Sequence, residues 1–330
     1  MKNIFKNILK LSLAVGLVYY LLASGKLDFK ILFTSLKENT STWIFAIVFT
    51  LVNYVLMSYR WKKLVEIKTK KKYSLLTVTK LTWIGALFNT VLPGAVSGDL
   101  VKLLYAKDMD KNISKTYLLT TILMDRILGL MSLLFILGFS SIIYYNELIQ
   151  TSKQIAYMIH INFILFGGSL LFLLTLFLPS KIQNFFLGMS KKIPILGKQV
   201  ANTLEQVWTI GRSKKTIFFT IGISILIQSI TIFIFWELVS PYFGKDVSIK
   251  YAFSFVPIGM ISTSIPISPA GLGVGHAVFD TLFSYFGVQK GASLFNLQFI
   301  LIVFINLLGI VPYLMSGKKH NLQETKELES

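Results

Sequence analysis

Ile265-Pro266-Ile267-Ser268-Pro269-Ala270-Gly271-Leu272-Gly273-Val274-Gly275-His276 decides how this chain is read. It sits inside an apolar stretch of about 251–287 and carries two prolines and three glycines. Each proline removes a backbone donor and clashes with the preceding turn, so one continuous helix cannot run through it. At membrane depth, unwound backbone persists only where it is buried in protein or lines a cavity. The Gly271-x-Gly273-x-Gly275 spacing is not a dinucleotide-binding fingerprint, because no strand precedes it and the third glycine is misplaced. The stretch therefore predicts a helical hairpin that enters a bilayer and turns back.

A second interrupted stretch, about 74–97, predicts a second hairpin. Its Phe88-Asn89-Thr90-Val91-Leu92-Pro93 aligns with Ile261-Ser262-Thr263-Ser264-Ile265-Pro266 at an offset of 173, which also places Gly98 on Gly271. Around these hairpins lie six apolar segments of spanning length, about 8–24, 43–60, 117–143, 157–178, 216–239 and 294–316. The composition agrees. Apolar residues make up 54% without counting glycine and charged residues 15%, with a mean hydropathy of +0.65. Soluble domains carry roughly 45–50% apolar residues with glycine included, and about 25% charged. The expected fold is an all-α polytopic membrane protein over residues 1–330, with six spanning helices and two re-entrant hairpins in an inverted repeat. In transporters that architecture places broken helices at a midplane site.

Placing the N-terminus inside and crossing once per span leaves 25 of the 33 basic residues in cytoplasmic stretches and seven outside, with Arg126 alone inside a span. The positive-inside rule is met, with both termini cytoplasmic and the hairpins entering from opposite sides. Lys2, Lys6 and Lys10 before the first segment, and Ala23-Ser24-Gly25 after it, resemble a signal peptide, but the charge distribution favours retention. The stretch 180–213 is too polar to span and reads as an interfacial segment, its Phe185, Phe186 and Ile193 interleaved with lysines. A net charge of +18 belongs to loops facing anionic headgroups, not to nucleic acid. With no cysteine and three histidines, neither a thiolate centre nor a histidine-rich metal site is expected. No P-loop pattern is present, so ATP is not the expected driver, and no cofactor is expected.

Ionisable residues inside apolar segments carry the functional reading, because burying them in a bilayer is costly. Asn89 and Asp99 bracket the tip of the first hairpin. Asp99 reads either as part of a headgroup or counter-ion site or as a cap of the following helix. Asp125 and Arg126 are adjacent on one helix, point in different directions, and so each needs a partner elsewhere. Arginine suits bidentate phosphate binding, which makes Arg126 a candidate for a lipid phosphate; a structural pair with Asp99 is the other reading. In the second hairpin Ser268, Gly271 and Gly273 let backbone approach a ligand. His276 and Asp280, four residues apart, read either as a proton relay or headgroup contact, or His276 reads as a lone polar residue at a packed interface.

These residues together carry a resemblance. Asn89…Leu92-Pro93…Gly98-Asp99, then Asp125-Arg126, then Pro266…Ser268-Pro269…Gly271-Leu272-Gly273-Val274 is similar to the lysylphosphatidylglycerol synthase transmembrane family, also described as flippase-like. Members resemble the N-terminal half of the multiple-peptide-resistance lipid synthase-flippases. The resemblance implies an inner-membrane protein that moves an aminoacylated or otherwise modified lipid between leaflets. It covers nearly the whole chain and carries Asp99 and Arg126 into the family's motif positions. Two departures stand out: Ser97-Gly98-Asp99 replaces the family's usual Gly-Gly-Asp, and His276 stands where an acidic residue is common. Losing that anion argues against a cationic aminoacyl headgroup and for an anionic or zwitterionic lipid. The expected function is thus a lipid translocator, not an enzyme, with proton or ion coupling as an option. The competing reading is a membrane-embedded transferase using His276 and Asp280 as a general-base pair.

Overall fold

The computed structural model describes residues 29–69, 71–91, 97–110, 112–194, 196–244, 247–264 and 273–316. Among these the chain is helical, without strands. In chain order the helices are α1 (Phe29–Glu38), α2 (Thr40–Val65), α3 (Leu75–Val91), α4 (Ser97–Met109), α5 (Lys115–Ile143), α6 (Tyr145–Thr151), α7 (Lys153–Thr175), α8 (Ser180–Lys191), α9 (Gly197–Gly211), α10 (Lys214–Val239), α11 (Ile249–Ser264), α12 (Val274–Tyr285), α13 (Gly291–Leu307) and α14 (Ile310–Met315). Side-chain caps start two of the long ones. Ser114 accepts from the Tyr117 N–H at 3.2 Å and Ser152 from the Ile155 N–H at 3.2 Å.

Five segments are long and apolar enough to cross a membrane: Thr40–Val65, Lys115–Ile143, Lys153–Thr175, Lys214–Tyr242 and Gly291–Met315. They match five of the six expected spans. The first, 8–24, lies outside the described residues, as do Pro93, Pro266, Ser268, Pro269 and Gly271. α5 is the most enclosed of the five, while α2 and α7 leave most of their apolar surface outward. Ile161, Ile164, Leu171 and Leu174 on α7 are all exposed. A helix apolar on every side is matched to lipid as its solvent.

Between these long helices sit two pairs of short ones. α3 packs on α4, and α11 packs on α12. Their 17, 13, 16 and 12 residues correspond to about 25, 20, 24 and 18 Å at ~1.5 Å per residue. Each falls short of a ~30 Å hydrocarbon core. The residues between α11 and α12, with both prolines of the expected second hairpin, lie outside the described residues. The first pair differs from expectation, since its second limb runs to Met109 instead of ending near 97. Asp99, Lys102, Lys107 and Asp108 hid that limb by lowering its hydropathy, although Lys102 turns inward and is buried.

Two hydrophobic cores organise the bundle. One gathers Phe235, Phe255, Phe279, Phe283 and Phe295 around α11 and α12. The other gathers Trp61, Leu64, Ile84, Tyr117 and Leu128 around α3 and α4. α2 runs from the first core to the second, and α10 runs the opposite way. The order α2–α3–α4–α5, starting at residues 40, 75, 97 and 115, recurs as α10–α11–α12–α13, starting at 214, 249, 274 and 291.

Candidate functional site

The first short pair is closed by glycine. A Cβ on Gly98 would lie 1.9 Å from the Gly85 carbonyl oxygen and 2.6 Å from the Asn89 nitrogen, so the two backbones touch and only glycine fits. Asn89 then fastens the limbs, its Oδ1 accepting from the Gly98 N–H at 2.9 Å. That oxygen of Asn89 thus holds the two limbs together. The tip of α3 is tied to the bundle as well. Thr90 Oγ1 accepts from Asn306 Nδ2 at 2.7 Å, the Tyr54 hydroxyl donates to Asn306 Oδ1, and Trp83 Nε1 donates to the Ile305 carbonyl at 2.9 Å.

This fastening sets Asp99, in the first turn of α4, against α5. Arg126 Nε donates to Asp99 Oδ2; the Asp99 side chain is 13% exposed and that of Arg126 41%. On the neighbouring face Asp125 meets a partner the sequence reading missed. Arg60 of α2, almost wholly buried, donates from Nε to Asp125 Oδ1 at 2.7 Å and from Nη1 to Ser224 Oγ at 2.8 Å. Lys102, three residues after Asp99, is buried with its ammonium 3.8 Å from the Trp61 ring centroid. It lies within electrostatic reach of both carboxylates and makes no salt bridge among the described residues. Two arginines and a buried lysine thus meet two carboxylates. Such a cluster can accept an anion. Arg126 is its most accessible cation, and a guanidinium presents a planar fork of N–H donors suited to carboxylate or phosphate oxygens.

Arg60 and Lys102 were counted with the loop cations, and both are buried in the bundle. The available signals were the continuation of the α2 pattern through Trp61, Leu64 and Val65, and the spacing of Lys102 from Asp99, which puts both on one face.

The second pair brings different chemistry together. Gly273, with φ of +82°, precedes α12, and its N–H donates to His276 Nδ1 at 3.3 Å. His276 Nε2 faces Asn296 Oδ1 at 3.4 Å, between the rings of Phe295 and Phe299 at centroid distances of 5.0 and 5.5 Å. That network assigns the proton to Nε2 and the acceptor role to Nδ1. Asp280 points elsewhere, its Oδ1 accepting from the Ala292 N–H at 3.4 Å at the start of α13. The expected His276–Asp280 pair is therefore not formed: one residue fixes the entry to α12 and the other caps the next helix. No group of three or more potential metal-ligating His, Asp or Glu side chains occurs among the described residues.

A cavity of about 210 Å³ lies between these two regions, lined by Gln228, Thr231, Thr263, Ser264 and Gln298 among apolar neighbours that include Leu133. Gln228 Nε2 donates to the Gly129 carbonyl at 3.3 Å, one turn beyond Arg126 on α5.

With this geometry in hand, comparison with known proteins gives one positive result. The family model described as the lysylphosphatidylglycerol synthase TM region matches residues 7–310. No curated protein and no solved structure matches the chain. The chain belongs to the lysylphosphatidylglycerol synthase TM-region family, a family of membrane proteins connected with lipids.

Proposed function

We propose that this family member moves a phospholipid between the leaflets of the cytoplasmic membrane, holding the headgroup phosphate at Arg126. The observation that carries the reading is the cluster of ionisable groups around the start of α4, where Arg126 pairs with Asp99 and Arg60 with Asp125 beside the buried Lys102. An unpaired arginine at the bilayer centre costs at least ~2.5–3.5 kcal/mol on insertion scales. Pairing with Asp99 offsets part of that, and a passing phosphate would complete it. The acyl chains would stay in lipid along the outward apolar faces of the bundle.

In this reading α3–α4 and α11–α12 are re-entrant hairpins entering from opposite sides, and the two four-helix runs form an inverted repeat. Their shortness, their placement in separate cores and the opposed courses of α2 and α10 support it. Both termini are cytoplasmic, the 8–24 segment is a sixth span, and α8–α9 lie along the inner interface. Phe185, Phe186, Met189 and Ile193 of that segment are exposed, as interfacial anchors would be. Transport would run downhill or be coupled to an ion or proton.

The test is exchange of a labelled phospholipid between leaflets of proteoliposomes. Wild-type protein should accelerate exchange, and Arg126→Lys, which keeps charge but loses the fork, should slow it while remaining folded. Wild-type rates for both Arg126→Lys and Asp99→Asn, in folded protein, would sink the site. Orientation is tested separately by cysteine labelling, clean in a chain without cysteine. A residue near Lys70 should resist an impermeant external reagent.

A further inference from the structure

Phosphate binding at Arg126 leaves Lys102 without a task, although it is the least expected member of the cluster. α3 meets α4 at Gly85, where an added Cβ would lie 3.3 Å from Lys102 Cβ and 3.6 Å from its Cδ. The lysine stem therefore passes inward over a position that has no side chain. Its ammonium ends 3.8 Å from the Trp61 ring centroid, and the residue is 6% exposed. An indole face attracts a cation but carries no counter-charge. The charged groups facing Lys102 are Asp125, Asp99, Arg60 and Arg126. They already close on one another, since Arg60 holds Asp125 at 2.7 Å and Arg126 holds Asp99. α3, packed along α4, adds no charge there, because its one ionisable side chain, Lys80, is exposed.

Which of these five groups can change its charge follows from their chemistry. A guanidinium keeps its proton in a protein. Removing the charge of either carboxylate would strand an arginine inside the bundle. Lysine differs from both, because a buried amine exchanges its proton readily, as catalytic lysines do. Two guanidiniums and two carboxylates cancel, so the charge of the whole cluster is set by whether Lys102 holds a proton. A phosphodiester entering a neutral cluster would be stripped of water without a counter-charge, which is costly. With a proton on Lys102 the same anion meets one opposite charge, and the sum is again zero. The two events share one site: Lys102 stands one turn after Asp99, and Asp99 holds Arg126. Arg126, its side chain 41% exposed, marks the open side of the cluster.

We propose that Lys102 is the proton-exchanging residue of this site, taking up a proton from water as a headgroup phosphate arrives at Arg126 and returning it when the phosphate leaves. The only bond that forms or breaks is N–H, on the amine lone pair. The inference rests on the phosphate reading and narrows its coupling to protons. By linkage, acid should favour phosphate binding as much as phosphate favours the proton. The probe is dihexanoyl phosphatidylglycerol, water-soluble and with a phosphodiester that does not titrate near neutrality. Calorimetry of the full-length protein in detergent, repeated in buffers of different protonation enthalpy, counts protons taken up per probe bound. Wild type should take up as much as one, and its affinity should fall up to about tenfold per pH unit where Lys102 titrates. Lys102→Arg, with a permanent charge, should bind without uptake or pH dependence. Lys102→Met should also take up no proton, and should bind more weakly. A purely structural lysine would alter stability and leave the proton count alone. Binding by wild type without uptake, or uptake that persists in both folded variants, overturns the inference and leaves the phosphate site standing. If the probe does not bind, the phosphate reading is at fault, and the Trp61 indole decides Lys102 by itself. A charge 3.8 Å from its ring displaces the near-ultraviolet absorption. A band that moves with pH in wild type and stays fixed in Lys102→Met supports proton exchange. A band that stays fixed in wild type, or moves equally in both, overturns it.

Discussion

Gly98, at the start of α4, and Gly259, inside α11, are both crowded glycines of the short helix pairs, yet they meet different neighbours. Gly98 lies against backbone, the Gly85 carbonyl and the Asn89 nitrogen, whereas Gly259 lies against the ring of Phe279. Around the first pair gather two arginine–carboxylate pairs and a lysine stacked on Trp61. Around the second gather Phe235, Phe255, Phe283 and Phe295, with a histidine and asparagine in place of charges. One architecture thus carries two kinds of interior. The first is closed by backbone contact and electrostatics. The second is packed by rings and offers neutral hydrogen-bonding groups.

The sharpest way to break that contrast is to remove charge from the first half. Arg60→Met should cost about 3–5 kcal/mol of stability, because Asp125 would be left buried and unpaired. Arg60→Met combined with Asp125→Gln, which gives α5 the amide that α13 carries, should recover most of that loss. Thermal unfolding in detergent with both singles and the double variant measures the coupling. If the double variant is no more stable than Arg60→Met, the pair is not what holds these helices.

The glycines come next. Gly98→Ala forces a Cβ onto backbone atoms that cannot move aside, and should cost at least the ~1–3 kcal/mol of core overpacking. Gly259→Ala meets a side chain, with its Cβ 2.3 Å from Phe279 Cζ. It should be rescued by Phe279→Leu, while no side-chain change rescues Gly98→Ala. Equal rescue in both halves would erase the distinction drawn between them.

Effects on transport should be smaller in energy. Arg126→Lys is expected to reduce phospholipid exchange about tenfold, or ~1.4 kcal/mol, with little change in thermal stability. His276→Gln should leave the rate and its pH profile between 5 and 8 nearly unchanged. The ring already accepts from Gly273 through Nδ1, and protonation there would break that bond. A lost pH dependence in His276→Gln would restore the sequence-based reading of this histidine as a proton relay or headgroup contact.

How much of this was legible beforehand differs between the halves for physical reasons. Apolar runs and proline–glycine clusters report directly on spans and breaks, so five spans and the α11–α12 interruption were readable. Asp99, Asp125 and Arg126 were readable because isolated charges in apolar sequence are costly. Arg60 was not, since Arg60-Trp61-Lys62-Lys63 has the composition of a helix end at the headgroups, and only the inward course of Trp61 and Leu64 reveals otherwise. Lys102 concealed a whole limb in the same way. Gln298 was hidden for the opposite reason: a neutral amide between Leu297 and Phe299 barely disturbs the hydropathy. Asp280 was misread because i, i+4 spacing permits contact without requiring it, and the N-terminus of α13 offered a better partner.

The weakest effect should arise where the second half does carry charge, at its rim. Lys250 at the start of α11 pairs with Glu147, which also accepts from the Tyr251 hydroxyl at 3.0 Å. The hydrogen bond from Lys250, then that from Tyr251, hold the Glu147 carboxyl below its ordinary value of 4.5. The same hydrogen bond holds Lys250 above its ordinary 10.5. A depressed carboxyl contributes stability above its unfolded pKa and loses it as pH falls through the folded one. A raised ammonium contributes below its unfolded pKa and loses it as pH rises through the folded one. The pair should therefore contribute evenly between about pH 5 and 10 and fade on either side. Both side chains are substantially exposed, so solvent and salt keep the contribution small. Glu147→Gln should lower Tm slightly at pH 7, and the difference should shrink as pH falls below 4.5. A gap as large as that of Arg60→Met would mean that the second half also depends on charge, and the contrast between the two interiors would fail.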